Sequence, residues 1–139
     1  MRSLVVRLVV LSLAAFGGSA LAADKAGAPA LTVKPLSEQD LEAYAGAGCT
    51  LAKGEQIFLL DDLTQAVVHV DGKVFQLKPS KADANLSHLA KKGDSLQYAD
   101  PTGAVTAEVV MTTRTALKLT LKKEGKTTSM EKLKLACGD

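Results

Sequence analysis

In three runs between Val105 and Cys137 apolar and wetter positions alternate one for one, a spacing that gives a strand one dry face and gives a helix none. Val105, Ala107, Val109 and Met111 oppose Thr106, Glu108, Val110 and Thr112; Leu117, Leu119 and Leu121 oppose Lys118, Thr120 and Lys122. After a turn at Glu124-Gly125, Leu133, Leu135 and Cys137 oppose Lys132 and Lys134, which places Cys137 on the core side. Such strands can bury their dry faces only against one another.

The same period runs back to Cys49. Glu55–Leu60 and Ala66–Val70 are β-rich runs joined by Asp61-Asp62-Leu63-Thr64-Gln65, a length suited to a hairpin loop. Asp71-Gly72 favours the positive φ angles of a type I′ turn, so Ala66–Val70 and Lys73–Lys78 should form a tight antiparallel hairpin. Pro79 stops that strand, and Ser80–Lys92 is the most irregular stretch, with Leu86 and Leu89 spaced to seat one helical turn. Asp94–Ala99 resumes the alternation before the turn Asp100-Pro101-Thr102-Gly103. The expected fold is mainly β: a small antiparallel barrel or sandwich of about seven to eight strands. One short helix precedes it, because Ser37 can cap a first turn that Asp40 bonds back to, and Leu41, Tyr44 and Ala45 share a face ending near Gly46 or Gly48.

The first residues carry a different message. Arg2 and Arg7 flank an apolar run from Val5 to Phe16, and Ala20-Leu21-Ala22 has the small-x-small pattern that signal peptidases cut behind. The run is shorter than the roughly 20 residues a membrane helix needs, so no stable membrane span is expected. Residues 1–23 read as a signal peptide, 24–35 as a flexible Ala/Gly/Pro leader, and 36–139 as a single β domain, exported to the periplasm or beyond. Export also changes the charge: 17 basic against 15 acidic residues becomes 15 against 15 once Arg2 and Arg7 leave. A near-neutral exported chain without Trp is a poor nucleic-acid binder. Cys49 and Cys137 are its two cysteines, they bracket the strands, and an oxidising compartment favours their pairing.

Residues able to do chemistry are few. His69 lies inside an apolar strand, where a structural role is the default. His88 stands beside Ser87 in the irregular segment, but sequence neighbours rarely point as a nucleophile and base must. Asp61, Asp62 and Asp71 lack the spacing of a calcium loop, no zinc or phosphate-loop motif occurs, and Glu55 and Glu108 have nothing to fix their separation. The expectation is therefore a protein that is not an enzyme and holds no metal or cofactor. Lys118, Lys122, Lys132 and Lys134 read as the solvated face of a sheet, or as a patch for an anionic partner.

Gly48-Cys49-Thr50-Leu51, the strand pair Ala66-Val67-Val68-His69-Val70-Asp71-Gly72-Lys73 with Leu77, and Ala136-Cys137-Gly138 resemble the small periplasmic inhibitors of C-type lysozyme. The resemblance implies an eight-stranded barrel with a disulfide, inhibiting by a loop that carries a Ser and a basic residue. The Ser-Gly-x-x-Tyr type of loop motif is replaced here by Ser87-His88-Leu89-Ala90-Lys91. The functional expectation is a non-catalytic periplasmic domain that binds a macromolecule, as an inhibitor or immunity factor against a lysozyme-like cell-wall hydrolase. Its contacts would come from the Pro79–Gly93 segment: Ser87, His88, Lys91 and Lys92. The alternatives are an envelope carrier with a small apolar ligand inside a barrel and an enzyme using His88.

Overall fold

The alternating runs form strands that close on themselves. The computed structural model describes residues 30–44 and 48–138; the expected signal peptide at 1–23, the leader up to residue 29 and the end of the helix at 45–47 lie outside the described residues. After β1 (Val33–Lys34) and α1 (Glu38–Tyr44), eight strands follow: β2 (Cys49–Lys53), β3 (Gln56–Asp61), β4 (Ala66–Val70), β5 (Lys73–Pro79), β6 (Ser95–Ala99), β7 (Val105–Met111), β8 (Leu117–Lys123) and β9 (Lys126–Cys137). Each pairs antiparallel with the next and β9 pairs with β2, so the fold is a closed up-and-down barrel and not a sandwich. Strand β1 is extra, added to β4.

Turn chemistry sets one end of this barrel. Asp71 and Gly72 both have positive φ (50° and 81°), as do Glu124 and Gly125 (52° and 78°), so both hairpins use the type I′ geometry that matches strand twist. The interior is filled by the alternating residues: Leu51, Leu59, Leu77, Val109, Leu119 and Leu133 each have 0% exposure. A void large enough for a ligand would leave accessible surface on the side chains around it, and these have none.

Strand β3 breaks the alternation, with consequences on both faces. Leu51 pairs with Leu59 but Ala52 with Ile57, so Phe58 is an extra residue in a bulge. Phe58 and Leu59 both join the barrel core, whereas Ile57 and Leu60 join an outer cluster with Leu36, Val67, Leu41 and Tyr44. Helix α1 rests on that cluster. It is capped as expected, with the Asp40 N–H donating to Ser37 Oγ (3.1 Å) and the Ser37 N–H to Asp40 Oδ2 (3.0 Å). The Ser37 N–H first, then the Ser37 hydroxyl, holds the Asp40 carboxyl below its ordinary range.

Residues 31–35 were expected in the flexible leader, but the packed fold already includes them. The β3–β4 ladder has only the pairs Leu60–Val67 and Asp61–Ala66, and β1 fills the remaining edge of β4 through Val33–Val70 and Lys34–His69. Leu31 is 5% exposed, and its N–H and C=O both bond the hydroxyl of Thr128 on β9, at 2.8 and 3.1 Å. This segment therefore plugs the barrel end opposite Cys49. A leader rich in small residues gives no local sign of such a contact, because its partner is 97 positions away.

Candidate functional site: the loop end of the barrel

The other end carries the loops joining β3 to β4, β5 to β6 and β7 to β8, together with Cys49 and Cys137. These cysteines are directly opposite in the β2–β9 ladder and form the disulfide, stapling the strand pair that closes the barrel. Cys49 is buried, but Cys137 is exposed, contrary to the core-side expectation, because it lies at the rim beyond the last buried residue of β9, Leu133. Gly48 is needed beside it: a Cβ there would stand 1.9 Å from the main-chain oxygen of Asp61.

Asp61 organises this end. The bulge at Phe58 restores alternation through Leu59 in and Leu60 out, which turns Asp61 inward at 1% exposure. Its Oδ1 accepts the Leu63 N–H (2.7 Å), and its Oδ2 accepts the Leu86 N–H (3.0 Å) and the Tyr98 hydroxyl (2.5 Å). Burial first, then the Asp61 carboxylate, raises the Tyr98 phenol far above its ordinary value, so it stays a neutral donor. One carboxylate thus ties together the β3–β4 loop, the β5–β6 segment and strand β6.

Residues 80–94 form a lid held by main-chain hydrogen bonds to nearby groups. The expected single turn is a 3-10 turn at Leu86–His88, with Asn85 Oδ1 accepting the Ser87 N–H (3.0 Å) and Leu86 and Leu89 buried over the barrel mouth. Asp94 Oδ2 accepts the N–H groups of Ala90 (3.0 Å) and Lys91 (3.1 Å), which hold its carboxyl below the usual range in that order of effect. Gly93 donates to Met111 O (2.8 Å), and Met111 donates back to Asp94 O (2.8 Å). The irregular sequence is therefore a fixed platform. Ser87, His88, Lys91 and Lys92 all have exposed side chains on it.

The remaining candidates are dispersed. Ser87 Oγ bonds Asn85 Oδ1 and not an imidazole, so no nucleophile–base pair forms with His88. Asp62 is lowered although burial pushes it up, because the Thr64 and Gln65 N–H groups and side chains bond its carboxylate. Asp71 lies at the opposite end of β4, bonded to the Thr32 N–H (2.9 Å), so it cannot complete a site with Asp61 and Asp62. Among the described residues no group of three His, Cys, Asp or Glu is placed to hold a metal ion. His69 is half-buried on the outer face with Nδ1 unbonded. Lys118 and Lys122 face outward from β8 and Lys134 from β9, while Lys132 stands in a second bulge with φ 62°.

Two residues of this end escaped sequence reasoning: Leu63, exposed at the β3–β4 tip, and Arg114, exposed in the β7–β8 loop. Among the described residues no helix is long and apolar enough to cross a membrane. Compared with family models, curated proteins and solved structures, the chain matches none.

Proposed function

We propose that this is an exported, non-catalytic binding domain that works in the periplasm by presenting the 80–94 platform to a protein partner, as an inhibitor or immunity factor against a lysozyme-like cell-wall hydrolase. The observation that carries the reading is the contrast within that segment. Its main chain is bonded to Asp61, Asp94 and Met111, while Ser87, His88, Lys91 and Lys92 stay in solvent. A preordered main chain with free polar side chains loses little entropy on binding. The closed eight-stranded barrel with its disulfide has the form the lysozyme-inhibitor resemblance implies. The filled interior weighs against the carrier alternative.

The test is lysis of bacterial cell walls by a C-type lysozyme with increasing amounts of the chain lacking residues 1–23. Wild type is expected to slow lysis. Combined Ser87→Ala, His88→Ala, Lys91→Glu and Lys92→Glu should abolish the effect with little change in Tm, since all four side chains are exposed. Undiminished inhibition by that variant overturns the assignment to this platform.

A further inference from the structure

Neighbouring ladders do not run the full length of every strand, and the gaps are treated differently. Beside β4 the short β3 ladder is completed by β1. Beside β9 the two-residue turn at Glu124-Gly125 leaves the Thr127 and Ser129 main chain facing away from β8, but that edge is bent by the bulge at Lys132 and flanked by Lys126, Glu131 and Lys132. Charges and bulges of this kind keep an edge from pairing. Strand β5 meets β6 only through Lys78–Ala99 and Pro79–Tyr98, so Lys73–Leu77 runs past the β6–β7 turn with a ladder on one side alone among the described residues. This stretch has no bulge, and Lys73 and Lys78 stand outside the run Val74-Phe75-Gln76-Leu77.

The β4–β5 register identifies the groups left over. Asp71-Gly72 is a two-residue turn, so Val70 and Lys73 exchange main-chain bonds, and the exchange recurs at Val68–Phe75 and Ala66–Leu77. The N–H and C=O of Val74 and Gln76 therefore point away from β4, to the side where no main-chain bond meets them among the described residues. Between them Phe75 is only half-buried, whereas Leu77 is fully buried. A cleft of about 340 Å³ lies between this stretch and Asp100 and Pro101 of the β6–β7 turn. A flat, apolar edge with unpaired main-chain groups is the surface to which a further strand adds.

We infer that a second copy of this chain adds its own β5 here, forming a two-fold dimer through paired β5 edges. Antiparallel strands centred on Phe75 place Val74 opposite Gln76 of the other copy, so every leftover N–H and C=O on the two edges finds a partner. A shift of one residue would set outward groups against inward ones and lose these bonds. Phe75 then meets its own copy across the axis in the close, non-hydrogen-bonded position, where aromatic pairs add stability. Lys73 faces Leu77 and Lys78 faces Gly72, so no lysine opposes a lysine. Symmetry supplies this match in a second copy, which favours that occupant over a foreign peptide. The pairing uses none of the exposed side chains of the 80–94 platform and stands apart from the lysozyme reading.

Two measurements test it on the chain lacking residues 1–23. Sedimentation equilibrium gives the mass at concentrations rising to roughly 1 mM, because so small a contact belongs with weak, transient pairs. Amide exchange by NMR at the lowest and highest concentrations locates the contact. The mass should rise toward that of a dimer, and the Val74 and Gln76 amides should slow on the order of tenfold while Phe75 and Leu77, already bonded to β4, change little. Gln76→Pro removes an N–H that β4 does not use, so it should keep a Tm near wild type and remain monomeric. If that variant does not fold, the wild-type exchange pattern decides. A monomer at every concentration with freely exchanging Val74 and Gln76 overturns the second copy and leaves the edge to a foreign strand. A dimer that survives Gln76→Pro, or whose Val74 and Gln76 amides exchange freely, puts the contact elsewhere and overturns it as well. Protection of those amides in a monomer means that the chain covers its own edge, the third contradictory result.

Discussion

Both mouths of the barrel are covered by leucines, Leu31 at one and Leu86 and Leu89 at the other, but the covering segments differ in how they are held. At one end tight hairpins such as Asp71-Gly72 and Glu124-Gly125 return the chain at once, and an apolar residue from outside the barrel, Leu31, fills the gap. At the other, long connections are pinned by a buried carboxylate and by turn aspartates, and polar side chains are left in solvent. Leucine burial covers both mouths; the donors matched to Asp61 and Asp94 at the loop end also fix the position of the segment they hold. The loop end can therefore present Ser87, His88, Lys91 and Lys92 in fixed places without a large apolar surface.

The contrast is broken most severely at Asp61. Asp61→Ala leaves the Tyr98 hydroxyl and the Leu63 and Leu86 amides without their acceptor, an expected loss of about 3–5 kcal/mol in urea unfolding. Hydrogen exchange should rise first in residues 80–94. Leu31→Ala tests the other end. It should cost about 2 kcal/mol, at the low edge for a buried leucine because Thr128 bonds its main chain and not its side chain. An equal loosening of the 80–94 segment in both variants would refute the separation of the two ends.

The smallest effect is alkaline. Tyr98 has its pKa raised by burial and by Asp61, so the native state holds that proton more tightly than the unfolded chain. The associated stability is complete below pH about 10, where both states are protonated, and falls as pH rises above that value. Tyr98→Phe should remove this alkaline slope while costing about 1 kcal/mol at neutral pH. A slope that survives the substitution would assign it to another group.

Local signals were legible in the sequence, and relations over distance were not. Asp71-Gly72, the Ser37–Asp40 cap and the alternation of β7 and β8 state their conformations within a few residues. The bulge at Phe58 lies inside an unbroken apolar run, Ile57 to Leu60, so nothing shows that the phase changes there. Without that change Asp61 reads as a solvated hairpin tip instead of the buried centre of one end. The exposed residues of the 80–94 segment could be read because an irregular, polar stretch between strands must lie on the surface. Leu63 had a faint signal, a leucine between Asp62 and Thr64 where a turn would favour Gly or Asn.

The most direct test of the division between the ends is a paired lysozyme-inhibition titration. One variant carries Ser87→Ala, Lys91→Glu and Lys92→Glu at the loop end; the other carries Lys53→Glu, Lys73→Glu and Lys126→Glu at the hairpin end, and both are checked for unchanged folding. The expected result is loss of inhibition in the first and wild-type inhibition in the second. Loss only in the hairpin-end variant, or equal loss in both, would contradict a barrel that binds at one end and merely closes at the other.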